Sequence, residues 1–163
     1  MMQEIKAIGF MLDINLNFIW KDAIKFYSSH VRGKGGIVVL VNPKWGKLIT
    51  NNGVSPCQRA IWFTMNINNN QIGIFSIYAP NDTKDRISLW NWLSALPNIP
   101  WFFGGDFNMV ESQMDNKMGG NPFRWKDYEF LHWSKFINSK KKIDPLANIK
   151  DSHLGIWHTW CNF

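Results

Sequence analysis

The stretch WFFGGDFN, residues 101–108, decides how the rest of the chain is read. Trp101, Phe102 and Phe103 form a short apolar run of the kind a strand needs, and the run ends on Gly104 and Gly105. Asp106 and Asn108 follow at a spacing of two, which in an extended chain points both side chains to one side. Glycines let the backbone approach a ligand closely, so Asp106 is a candidate proton acceptor and Asn108 a candidate holder of a water or phosphate oxygen. The same residues also spell an ordinary turn after a strand, because Asp and Asn are common turn formers.

A second stretch upstream has the same layout. The apolar-rich run from Ile72 to Ile77 leads into Tyr78, Ala79, Pro80 and Asn81, which puts a phenol and an amide at the C-terminal end of a strand. The alternative is that Tyr78 merely finishes the strand and Asn81 or Asp82 caps the next helix. Before this run, Arg59 to Ile67 partly alternates apolar and polar residues, and Asn68, Asn69 and Asn70 interrupt the pattern, which predicts a hairpin. After it, Ile87, Trp90, Leu93 and Leu96 recur every three residues and mark one helical face that Pro97 terminates.

Farther out, Gly36 to Asn42 is a continuous β-branched run, as expected of a strand buried on both faces. The strand that starts at Pro100 is expected to end at the two glycines. A second helix is predicted over Trp125 to Asn138, with Phe130, Trp133 and Ile137 facing inward. Residues 110–123, rich in Gly, Asn and Asp, read as a long loop, and the run Lys140 to Lys142 reads as a solvated cluster at a helix end. The predicted order is β, β-β, α, β, α.

Composition bounds the function. With 45% hydrophobic and 15% aromatic residues in 163, the chain is not intrinsically disordered. No apolar run approaches the roughly 18 residues of a membrane span, and Met1 to Phe10 lack the layout of a secretory signal peptide, so a soluble intracellular protein is expected. Eighteen Lys and Arg against twelve Asp and Glu give a net charge of +6, which suits a polyanionic partner. Most of the ten Trp are expected in the core, although indoles also stack on unpaired bases. Cys57 and Cys161 match neither a zinc nor a redox spacing. Near the start, Glu4 offers an oxygen ligand for a hard cation such as Mg²⁺.

Taken together, four stretches resemble, in order and spacing, the endonuclease/exonuclease/phosphatase superfamily of deoxyribonuclease I-like proteins. They are MQEIK at 2–6, RGKGGIVVLVNP at 32–43, IYAPN at 77–81 and GGDFN at 104–108. Within it, GGDFNMVES at 104–112 and HTWCNF at 158–163 are similar to the apurinic-endonuclease-like domain that precedes the reverse transcriptase of non-LTR (LINE-type) retrotransposons. The resemblance implies a four-layer α/β sandwich of mostly antiparallel sheets, a single partial domain over residues 1–163 truncated at both termini. It also implies a DNA-nicking phosphodiester hydrolase dependent on Mg²⁺ or Mn²⁺, nuclear if it acts on host DNA.

Carried over position by position, the resemblance makes Glu4 a metal ligand and has Tyr78 and Asn81 orient the scissile phosphate. Asp106 would position or deprotonate the attacking water, and Asn108 would hold water or phosphate beside it. Glu111 and Asp115 receive no role and are expected at the surface, and Trp160 is expected to pack. The family also uses an asparagine before the glutamate motif, an aspartate in an LDR-like stretch and a final Ser-Asp-His. None of these stands in the sequence, and His153, which precedes the HTW segment, is not assigned the last role. The expectation is therefore a phosphodiesterase domain weakened or inactivated by truncation. The alternatives are a non-catalytic nucleic-acid-binding remnant and a non-functional pseudogene product.

Overall fold

The hairpin predicted around the asparagines is the organising element. In the computed structural model, which describes residues 2–5, 10–28, 36–109 and 127–140, strands β5 (Ala60–Ile67) and β6 (Asn70–Tyr78) pair antiparallel in full register. Asn68 and Asn69 form the two-residue turn with φ of 49° and 64°, the left-handed pair that matches the twist of the flanking strands. β4 (Ile49–Val54) adds to one side of the hairpin antiparallel, and β7 (Trp101–Asp106) adds to the other side parallel, giving the order β4-β5-β6-β7. A parallel neighbour requires a crossover, and the helix α2 (Thr83–Ser94) supplies it between β6 and β7.

A second sheet has the order β1-β3-β2, from β1 (Met2–Ile5), β2 (Ile24–Ser28) and β3 (Gly36–Val41), all antiparallel. β3 is buried on both faces, as its unbroken β-branched run predicts. Ile37 and Val39 point towards the larger sheet, packing with Ile61, Phe63 and Met65, while Val38 points away to meet Leu12 and Leu16 of helix α1 (Phe10–Trp20). Phe26 stacks on Phe63 across the gap between the sheets, with ring centroids 5.2 Å apart. On its other face the larger sheet carries α2 and α3 (Asp127–Ser139), through a core of Phe75, Ile77, Trp90, Leu93, Trp133 and Phe136. The layers run helix, sheet, sheet, helices. The protein is a four-layer α/β sandwich with mostly antiparallel sheets.

Several expectations need correction. β7 does not stop at the glycines but continues through them to Asp106, because both stay paired to Ser76 and Ile77 of β6. The inward face of α2 is Arg86, Leu89, Trp90 and Leu93, the i, i+3, i+4, i+7 spacing of a helix, while Ile87 is only half-buried and Leu96 lies beyond the helix end. On α3, Phe130 is exposed and Phe136 takes the core position, alongside Trp133 and a half-buried Ile137. Lys140 is buried rather than solvated, and its Nζ donates to the carbonyls of Ser94 (3.0 Å) and Leu96. Trp90, Trp101 and Trp133 are core, but Trp45 is exposed. α1, β2 and β4 carried no expectation. Residues 110–123, Lys141, Lys142, His153, Trp160 and Cys161 lie outside the described residues.

Candidate active site

Two parallel strands that end together bring the candidate residues together. Tyr78, the last residue of β6, is the register partner of Asp106, the last residue of β7, so both side chains leave the sheet on the same face. That face is the one turned towards the smaller sheet, since Tyr78 packs with the inter-sheet core. Immediately beyond, the chain is stitched across the two strands. The Ala79 amide donates to the Asp106 carbonyl at 2.7 Å, and the Asn108 side-chain amide donates to the Ala79 carbonyl.

Asp106 and Asn108 do come together, but not by strand alternation. Gly105 has a φ of 142° and Asn108 a φ of 49°, so the chain turns sharply past Asp106. The Asp106 carboxylate folds the turn by accepting the Asn108 backbone N–H at 2.8 Å on Oδ1. An Asp or an Asn at 106 can accept that bond, and Asn is among the residues that tolerate the left-handed conformation at 108. The reading as a turn after a strand holds: one carboxylate oxygen makes the turn, and both residues stay half-buried at its mouth.

Asn81 sits in the link between β6 and α2 with its side chain exposed, and Asp82, not Asn81, caps α2 by accepting from the amides of Lys84 (2.8 Å) and Asp85 (3.2 Å). Glu4 is placed by its backbone, in β1 between the register pairs Met2 with Val38 and Ile5 with Gly36. This is the end of the smaller sheet that meets the candidate site. Ser28, paired with Ile37 on the far side of β3, donates its hydroxyl to the Gln58 carbonyl at 2.9 Å, and Gln58 precedes Arg59, whose guanidinium lies 5.0 Å from the Tyr78 ring centre. Glu4, Tyr78 and Asp106 therefore stand on elements that converge at one end of the sandwich. The other end is different: a cavity of about 390 Å³ between the sheets there is lined by Val39, Val41, Phe63, Met65 and Ile72, without a charged group.

Two arginines belong to this region that sequence reasoning passed over. Arg59, half-buried, lies against Tyr78 and brings a positive charge to the site. Arg86 is buried beneath the Pro80–Asn81 link and pairs with the equally buried Glu129 of α3. A signal for the second existed: Arg86 occupies an apolar-stripe position of α2, and Glu129 stands four residues before Trp133 on the inward face of α3. Among the described residues no three His, Cys, Asp or Glu side chains cluster closely enough to hold a metal by themselves. A half-buried carboxylate with neutral oxygens nearby fits a hard cation that keeps most of its waters, as Mg²⁺ does.

Among solved structures, the chain is similar to truncated Caenorhabditis elegans TDP2, with a TM-score of 0.44 and 16% identity over 66% of this chain and 48% of that one. It is similar also to TDP2 from C. elegans, with a TM-score of 0.45 and 16% identity over 67% of this chain and 37% of that one. The chain spans less than half the length of either. No protein-family model matches it, and no curated protein sequence matches it. No helix among the described residues is long and apolar enough to cross a membrane.

Proposed function

We propose that this chain is a metal-dependent phosphodiesterase domain acting on DNA, of the kind that nicks target DNA for a LINE-type retrotransposon. The observation that carries the reading is the pairing of Tyr78 with Asp106 at the shared end of two parallel strands, with Asn108 hydrogen-bonded to the turn between them. Such strand ends are where open α/β sheets gather ligand-binding groups. Asp106 uses Oδ1 for the turn and keeps Oδ2 for the attacking water. The water's oxygen bonds to phosphorus, its proton passes to the Asp106 carboxylate, and the opposite P–O bond opens.

Tyr78, Asn81 and Asn108 supply neutral hydrogen-bond donors for the phosphate oxygens, and Arg59 adds a positive charge beside them. Glu4 is the carboxylate that would hold Mg²⁺ or Mn²⁺, which when bound supplies charge stabilisation for the phosphate and the leaving oxygen. The net charge of +6 favours a polyanion throughout.

Nicking of supercoiled plasmid with Mg²⁺ or with EDTA tests this, with wild type and Asp106→Asn compared at equal thermal stability. Metal-dependent nicking that falls by about 100-fold or more in the variant is expected. Equal nicking by the two proteins would remove Asp106 from the chemistry. DNA binding that weakens with salt, with no nicking by wild type, would make the chain a nucleic-acid-binding module instead.

A further inference from the structure

Arg86 has all five of its N–H donors committed. Nη1 donates to the backbone carbonyls of Pro80 (3.0 Å) and Asn81 (2.7 Å), Nη2 to Thr83 Oγ1 (3.2 Å) and Glu129 Oε2 (2.9 Å), and Nε to Glu129 Oε1. Its side chain and that of Glu129 are 9% and 6% exposed, so the guanidinium faces inward and touches the link from its buried side. The link is held at its start as well, because Ala79 donates to the Asp106 carbonyl and accepts from Asn108. Between these two anchors, Asn81 is the residue turned to solvent.

We propose that Arg86, locked by Glu129, is a positioning residue that fixes the backbone of Asn81 and thereby aims the Asn81 amide at the substrate phosphate. Arg86 itself never meets substrate, so its effect passes wholly through the two carbonyls it grips. Glu129 sets the plane of the guanidinium by accepting two parallel N–H bonds, a geometry a lysine at 86 cannot reproduce. The packing of α3 on α2 is in this way converted into the position of one exposed side chain near the candidate site. The inference rests on the phosphodiesterase reading, since it assigns a consequence to the Asn81 contact.

Two variants separate positioning from mere stabilisation. Replacing the pair together, Arg86→Met with Glu129→Leu, removes both buried charges at similar volume and retains stability where removal of either alone does not. It also releases the Pro80 and Asn81 carbonyls. Glu129→Gln is the milder variant, and it carries the comparison should the double variant melt more than about 10 °C below wild type. Plasmid nicking kinetics and amide hydrogen exchange are measured on the full chain. The expected result is a KM raised at least about tenfold with kcat little changed, and faster exchange confined to Asn81 through Asp85. A stable double variant with wild-type KM and wild-type exchange overturns the proposal. If wild type itself does not nick, the phosphodiesterase reading fails, and exchange alone decides the clamp: faster exchange in that link upholds it, and unchanged exchange removes it.

Discussion

At the scale of single residues, the candidate site depends on side chains that serve the backbone first. Asp106 folds the turn that carries Asn108, and Asp82 caps the helix that follows Asn81, so carboxylates at neighbouring chain ends do local structural work beside the proposed chemistry. Asp82→Ala is expected to lower stability by about 1 kcal/mol through loss of the cap, measured by urea unfolding. Gly73 shows the opposite dependence, on having no side chain. It pairs with Trp101, whose ring lies so close that a Cβ at 73 would come within 2.0 Å of it. Gly73→Ala therefore forces the indole out of the core, at a cost of about 1–3 kcal/mol, read as a lowered urea midpoint with an unchanged slope.

At the scale of elements, the helix ends hold a buried charge that couples stability to pH. Burial pushes the Lys140 ammonium below the ordinary lysine range, while its Nζ still donates to Ser94 and Leu96 at the end of α2. The unfolded chain therefore holds more protons than the folded one between the lowered value and the ordinary one, and stability rises with pH through that window. A neutral amine keeps two N–H donors for the two carbonyls. Melting of wild type and Lys140→Met, compared from neutral pH to about 10, is expected to show wild type gaining on the variant as pH rises. The sequence made β3, the β5–β6 hairpin, α2 and β7 legible because each carries its own period or turn signal. α1 carried none that could be read, being apolar nearly all round, with Leu12 and Leu16 buried while Ile14, Phe18 and Ile19 are exposed. β4 was hidden by polar outward residues, including Thr50, Asn51 and Asn52. Of the candidate site, residue types at strand ends were legible. The Asn108 turn, and the meeting of Arg86 with Glu129 at 43 positions' separation, depend on tertiary contacts that no local pattern encodes.

At the scale of the whole molecule, several large apolar side chains of the described residues lie outside the core, α1 and β7 among their locations. Phe18 of α1 is 93% exposed, and Phe102 of β7 is 55% exposed on the face the larger sheet turns towards the smaller one. Substituting Phe18→Lys is expected to raise the soluble concentration and reduce self-association in sedimentation, with melting within about 2 °C of wild type, because that ring is solvated already. The Phe26–Phe63 stack that bridges the sheets is different in kind. Phe63→Ala opens the interface between the layers and is expected to cost about 3–5 kcal/mol by urea unfolding.

The crossover between β6 and β7 also sets a sequence in time. Tyr78 closes a hairpin whose turn is two residues long, and such hairpins form within microseconds. Asp106 lies 28 positions later, and it meets Tyr78 at the far end of a crossover that contains α2. Parallel pairing of this sort is the slow part of building a sheet, because the chain must surrender the freedom of the whole loop before any contact rewards it. The expected order in refolding is therefore the hairpin first and β7 last, which sets Tyr78 in place before Asp106.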